Sequence, residues 1–371
     1  MGRIDDLIQQ CCPEGVPMVP LGDLLKYEQP TKYIVQNTNY DDSYTTPVLT
    51  AGQSFILGFT NETDGIFSAS IDEPVIIFDD FVTSFHWVDF DFKVKSSAMK
   101  MLRPKNNTFS FRYVYYAMCC IGFIPSEHTR HWISRYSQFE IPLPPLPIQE
   151  AIVEILEKFD RLSAELQAEL QARKQQYEYY RNQLLTRFAP EQPVTEYSLG
   201  EIADLRAGKA IKASELGERD ESHLYPCFGG NGIRGYISKN SHQGKYPIIG
   251  RQGALCGCVN WAEGKFYATE HAVVVSPKNG NNPRYLYYML EVANLNQYKS
   301  QGAQPGLSVS NLNELKFNIP SLAEQARIVA ILDKFEALVN DLSQGLPAEI
   351  AAVQEQYEYY RNKLLTFKTK E

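Results

Sequence analysis

The 371-residue chain lacks the features that would place it in several large classes. No apolar run approaches the ~18–20 residues of a bilayer span. The opening residues, "MGRIDDLIQQCCPEG", carry charge where a secretory signal needs an apolar core, so a cytoplasmic protein is expected. The seven cysteines, at positions 11, 12, 119, 120, 227, 256 and 258, form no C-x-x-C. Cys256-x-Cys258 has no partner pair at zinc spacing, so reduced thiols are expected, with no structural metal. There is no Gly-x-x-x-x-Gly-Lys-Ser/Thr phosphate loop, and Gly208-Lys209, Gly244-Lys245 and Gly264-Lys265 all miss the pattern. The Asn/Asp-Pro-Pro-aromatic motif of amino-methyltransferases is missing, and "FGGNG" (Phe228–Gly232) is not a dinucleotide-binding pattern. These absences leave no self-contained enzyme motif.

Basic charge is also scarce. The formal net charge is −8, divided as −6 over residues 1–146, −1 over 147–189, +1 over 190–320 and −2 over 321–371. No basic tail exists, so any grip on nucleic acid must come from local patches or a basic partner.

What is present is a repeat. "QYEYYRNQLLT" (Gln176–Thr186) returns as "QYEYYRNKLLT" at Gln356–Thr366. "LPPLPIQEAIVEILEKFDRL" (Leu143–Leu162) answers "IPSLAEQARIVAILDKFEAL" (Ile319–Leu338), and "VPMVPLGDL" (Val16–Leu24) answers "VTEYSLGEI" (Val194–Ile202). Between these anchors only "FRYVYYAM" (Phe111–Met118) and "PRYLYYML" (Pro283–Leu290) correspond faintly. The chain is therefore two half-chains in tandem, each a divergent body followed by a well-matched tail.

The tails predict long amphipathic helices. Ile152, Ile155, Leu156, Phe159, Leu162, Leu166 and Leu170 recur at spacings of three and four, as do Ile328, Ile331, Leu332, Phe335, Leu338 and Leu342. Each helix would run roughly 40 residues, about 60 Å, and their apolar faces suit a coiled-coil-like pair. Gly345 and Pro347 predict a kink or break in the second. Phe159 to Tyr177 is 18 positions and Phe335 to Tyr357 is 22, a difference close to one helical turn. The tandem tetrad "AELQAELQ" (Ala164–Gln171) has the same unit length. The bodies read as mixed α and β: "PVIIFDDFV", "YPIIGRQGALCGCVNW" and "HAVVVSP" are strands bounded by turns, and "YLYYMLEVAN" and "YVYYAMCCIG" are short helices.

This order of pieces resembles the specificity (S) subunit of type I restriction–modification systems over nearly the whole chain. The resemblance rests on the two L/I-P…Q-x-x-I-V-x-I-L-x-K-F helices and the two tyrosine phrases. It rests also on the AELQ tetrads, "PIIGRQGALCG" (Pro247–Gly257), "ATEHAVVVSP" (Ala268–Pro277) and "IIFDDF…SSAMKMLRPK" (Ile76–Lys105). It implies an α+β fold with two target recognition domains, at 1–146 and 190–320, held apart by long antiparallel helices at 147–189 and 321–371. Each domain would read half of an asymmetric bipartite double-stranded DNA site. The helices would dock two modification (methyltransferase) subunits, and the assembly would bind restriction (motor-nuclease) subunits. S-adenosylmethionine would belong to the modification subunit, ATP and Mg2+ to the restriction subunit, and no cofactor to this chain. The competing reading is a non-catalytic scaffold whose two bodies bind protein or glycan.

The candidate contact residues lie in the bodies. Asp79-Asp80 could accept from cytosine N4, end a strand, or hold a metal. His128, Arg130 and His131 in "SEHTRHW" form a polar loop that suits DNA contact or plain solvation. Arg251-Gln252 follow an apolar strand; Arg reads guanine and Gln reads adenine by paired hydrogen bonds, with a salt bridge the alternative for Arg251. Gly229, Gly230 and Asn231 could bring backbone to phosphate or form a simple turn. Lys209 and Lys212 suit phosphate contact. Thr50, Gln53, Arg234, His271 and Gln304 complete the expected DNA-facing set. On the tails, Tyr177, Tyr180, Arg181 and Leu184, with Tyr357, Tyr360, Arg361 and Leu364, form either a docking surface for one partner per copy or the packing between the two helices.

Overall fold

A computed structural model describes residues 2–52, 54–189, 193–253, 255–300 and 305–370. The chain divides into two compact units, Met1–Glu165 with Ile350–Glu371, and Leu166–Glu349. Each therefore takes one body, part of one tail, and part of the other tail.

In the first unit the strand Val75–Asp79 is a run of β-formers with no exposed residue through Phe78. Alternate side chains of a strand point to opposite faces. Ile76 and Phe78 accordingly enter one core with Leu21, Tyr113 and Ile152, while Val75 and Ile77 enter another with Phe67, Phe92 and Met101. The strand lies in a four-stranded antiparallel sheet, in the order Leu25–Glu28, Met99–Pro104, Val75–Asp79, Phe85–Val88. A three-stranded sheet follows, in the order Ile56–Thr60, Thr46–Leu49, Lys93–Val94, the last pair parallel.

The second unit runs the same path as one six-stranded sheet: Ala203–Ala207, Ala272–Pro277, His242–Gly250, Val259–Ala268, Tyr225–Gly229, Gly232–Ile237. Its alternation also feeds two cores, Ile249, Val273 and Val275 on one side and Ile248, Ala272 and Val274 on the other. The long strand Val259–Ala268 pairs with His242–Gly250 and, in parallel, with Tyr225–Gly229. In the first unit that strand is two pieces, Phe85–Val88 and Lys93–Val94. Asp89 and Asp91 interrupt it, residues that strands disfavour, and Asp91 accepts a hydrogen bond from the Ala69 amide (3.1 Å). The divergent bodies thus share one strand order.

The anchors matched in sequence close each unit alike. Met18–Pro20 pairs with Glu140–Pro142, and Val194–Ser198 with Lys316–Pro320, both antiparallel. A buried glutamine ties each tail to its body. Gln149 accepts from the Ser110 amide (2.8 Å) and donates to the Pro144 carbonyl (2.7 Å). Gln325 accepts from the Asn282 amide (2.9 Å) and donates to the Asn281 side chain and the Pro320 carbonyl.

The first tail is one helix of 41 residues, Leu146–Thr186. The second breaks where expected, into Leu322–Asn340 and Leu346–Leu364. Asp341 holds the intervening turn by accepting from the Ser343 amide and hydroxyl. In the first unit Phe159 stacks with Tyr360 (5.7 Å), and in the second Tyr180 packs on Phe335 (5.9 Å). No described helix is long and apolar enough to cross a membrane.

Candidate nucleic-acid interface

In each unit four loops meet at corresponding places. In the first, the turn after Val75–Asp79 touches three others. The Asp80 amide donates to the Ala98 carbonyl, the His131 amide donates to the Asp80 carbonyl (both 2.8 Å), and the Ser84 hydroxyl donates to the Ala51 carbonyl. In the second, the turn after His242–Gly250 repeats the pattern. The Arg251 amide donates to the His271 carbonyl (2.9 Å), the Leu307 amide to the Arg251 carbonyl (2.8 Å), and the Cys258 thiol to the Gly230 carbonyl (3.2 Å). Asp80 and Arg251 thus hold the same backbone position, as do Ser84 and Cys258. So do Thr83 and Gly257, both at positive φ (58° and 93°). Glycine enters that region freely, whereas a β-branched threonine is strained there.

The two pivots carry opposite chemistry. Asp80 is 1% exposed; its carboxylate pairs with Lys100 (3.1 Å), itself 1% exposed, and accepts from the Trp132 amide (2.8 Å). The half-exposed Arg130 reaches the same carboxylate (3.6 Å), so Asp80 is consumed inside the fold, which corrects the expectation that it meets a base. Asp79 caps its own turn, accepting from the Phe81 and Val82 amides. His131 is also buried, its Nε2 against the Glu127 carbonyl (3.1 Å), so it too is removed from the expected surface. His128 and Arg130 stay exposed around Phe81: the His128 ring stacks on it at 4.6 Å, and the guanidinium sits 5.8 Å from its centroid. Thr50 is half-buried, accepting from the Gly52 amide.

In the second unit the pivot is open. Arg251 is half-buried, and among the described residues its Nε has no hydrogen-bond partner; the same holds for Nδ1 of His271 and Oε2 of Glu270, while the other atoms of that pair, Nε2 and Oε1, meet at 3.1 Å. A buried polar atom without a partner costs about 1–3 kcal/mol, so this pivot is less fully satisfied within the described residues than that of Asp80. Gln252 is exposed and its backbone bridges to Gly306. Gly230 packs so tightly beside Gln252 and His271 that a Cβ there would lie 2.7 Å from the Gln252 carbonyl. Gly229 lies under the Arg234 side chain, and Asn231 and Arg234 are exposed. Lys209 bonds through its amide to the Ala268 carbonyl (3.1 Å) and leaves its side chain in solvent, as does Lys212. Gln53 and Gln304 lie outside the described residues. Glu270 was not singled out in sequence; its place beside a polar His was the available signal. Among the described residues no three His, Cys, Asp or Glu side chains gather as metal ligands would.

Each tyrosine phrase buries two of its residues. Tyr177 and Leu185 lie in the second unit's core, and Leu364 and Leu365 in the first's. Tyr177 and Leu364 are therefore packing residues, which corrects the docking reading for those two. Burial pushes the Tyr177 hydroxyl up to about 12. Arg181 lies over the Tyr177 ring (5.3 Å) and pairs with Glu291 (3.5 Å); Arg361 lies over Tyr357 (5.4 Å). Leu184, Tyr357 and Tyr360 are half-buried. The exposed tyrosines of the phrases are Tyr179 and Tyr359, each 59% exposed, with Tyr180 at 41%.

A family model described as the type I restriction modification DNA specificity domain matches residues 13–173 and again 191–352. The chain belongs to this family. It is 41% identical to the type I restriction enzyme EcoR124I/EcoR124II specificity subunit of Escherichia coli, over 95% of this chain and 94% of that protein. It is 52% identical to the EcoprrI specificity subunit of Escherichia coli over 56% of this chain and 55% of that one. The crystal structure of the type I restriction–modification S subunit from M. genitalium superposes with a TM-score of 0.62 over 94% of this chain and 96% of its own, at 16% identity. As a member of the type I specificity family the chain is a non-catalytic DNA specificity component, and the reading as a general protein- or glycan-binding scaffold falls away.

Proposed function

We propose that each unit of this specificity subunit reads one half of an asymmetric bipartite DNA site through its four-loop cluster. One observation carries this: the cluster has the same backbone frame in both units and unlike side chains at its pivot, Asp80 against Arg251. In the second unit Arg251, Gln252, Asn231, Arg234 and His271 are the base- and backbone-facing set, with Lys209 and Lys212 toward phosphates. In the first, His128, Arg130 and Thr50 serve. The target recognition domains follow the 1–146 and 190–320 divisions, with 147–189 and 321–371 as spacers.

Two modification subunits dock on the tails, one per repeat, using the outward Tyr179, Tyr180 and Tyr359 with Arg361, and restriction subunits join that assembly. S-adenosylmethionine sits in the modification subunit, and ATP and Mg2+ in the restriction subunit. The work takes place in the cytoplasm. The acidic overall charge fits a chain whose affinity is shared with a partner. The experiment is a chromosome-wide map of N6-methyladenine in the host with and without this gene. One bipartite motif should vanish in the knockout and return with the gene; an unchanged map would contradict the reading.

A further inference from the structure

Each unit contains one further cluster, outside the loops, built twice from the same chemistry. In the first, the Arg112 guanidinium lies 4.6 Å from the Trp87 centroid, 5.0 Å from Tyr115 and 4.9 Å from Tyr116. It bonds to Asp160 (2.9 Å) and faces Glu157 (3.6 Å), and the Tyr116 hydroxyl donates to Asp160 (2.6 Å). In the second, Arg284 lies 4.9 Å from Trp261 and 4.7 Å from both Tyr287 and Tyr288. It bonds to Asp333 (3.0 Å) and Glu336, and the Tyr288 hydroxyl lies within hydrogen-bond distance of both carboxylates (2.6 and 2.8 Å). Even the ring angles repeat: tryptophan meets tyrosine at 67° and 65°, and the tyrosine pairs meet at 64° and 63°.

The three parts come from three places. The tryptophan stands on the strand that leaves the reading turn, the arginine and tyrosines on the body's short helix, and the carboxylates on the tail helix. The cluster is thus the joint between a reading body and its spacer. A planar guanidinium can stack on rings and fork to two carboxylates at once, and an ammonium cannot. Four side chains are kept in two bodies that otherwise diverge, and each meets a pair of carboxylates on its tail helix, Glu157 and Asp160 answering Asp333 and Glu336; none of the six lies in the loop cluster. The joint serves what the halves share, which is attachment.

We propose that Arg112 and Arg284 are positioning residues that fix the angle of each recognition body on its helix, and so set the number of base pairs between the half-sites without affecting which bases are read. This rests on the function proposed above. The test is Arg284→Lys in the complete complex with modification subunits, read by mapping N6-methyladenine. The expected result is an unchanged pair of half-sites, with methylation spread to gaps one base pair shorter or longer at more than about ten times the wild-type ratio. Methylation kept at the wild-type gap alone, or lowered equally at every site, would overturn the proposal. Asp333→Asn, which keeps shape and removes one arm of the fork, gives the same readout if the lysine variant does not assemble. A wild-type complex that methylates no bipartite site would instead sink the underlying function.

Discussion

The two reading bodies have one strand order and little sequence in common, whereas the two tails share two matched stretches and have different structures. The first tail is a single 41-residue helix; the second is two helices of 19 residues around a turn. The contrast separates two kinds of constraint. A tail residue must fit a defined neighbour, so Gln149 and Gln325, or Phe159 and Phe335, are held. A body needs only alternating apolar residues to keep its sheet, and its loops are free to change what they read.

The largest effect expected from disturbing this arrangement comes from the tetrads. Deleting Ala164–Gln167 shortens the central helix by about 6 Å, up to about two base-pair steps of ~3.4 Å. The methylation map should move to a shorter gap with both half-sites intact; an unaltered gap would refute the spacer role. Next comes the pivot of the first unit. Asp80→Ala leaves the buried Lys100 ammonium with no carboxylate and only the Gln29 side-chain oxygen (3.1 Å), which should cost about 3–5 kcal/mol in denaturant melts. Arg251→Ala, at the equivalent position, should change stability little. Gln149→Ala and Gln325→Ala should each cost about 1–3 kcal/mol, and by similar amounts, because they make the same attachment. The smallest effect belongs to the second body. His242 stacks on Phe266 (5.3 Å, 10°), and burial lowers its pKa below the ordinary imidazole value. The folded state therefore favours the neutral ring. Its contribution should be full above the unfolded pKa of about 6.5 and decline as pH falls below it, and His242→Asn should flatten that slope in pH-dependent melts.

The tails were legible in sequence because helical packing is local. Spacings of three and four announce the buried face, and Gly345 with Pro347 announces the break. The common body topology was not legible. Sheets are specified by pairing between distant strands, and unequal loops make the offset wander, from 178 at Gly22/Gly200 to 172 at Arg112/Arg284 and 180 at Tyr177/Tyr357. Loop composition pointed to Asp80 and Arg251 alike. Only strand pairing, which brings Lys100 under Asp80, shows that one is closed and the other open. The joints hid in plain sight: the arginine and its tyrosines were in the matched helices, but their tryptophans and carboxylates come from elsewhere in the chain.

If reading is separable by unit, the methylation map of a complex carrying Arg251→Ala shows it. One position of one half-site should relax, with discrimination there falling by about 1–3 kcal/mol, while the other half-site and the gap stay as in the wild type. Relaxation of both half-sites together, or a map indistinguishable from wild type, would contradict it.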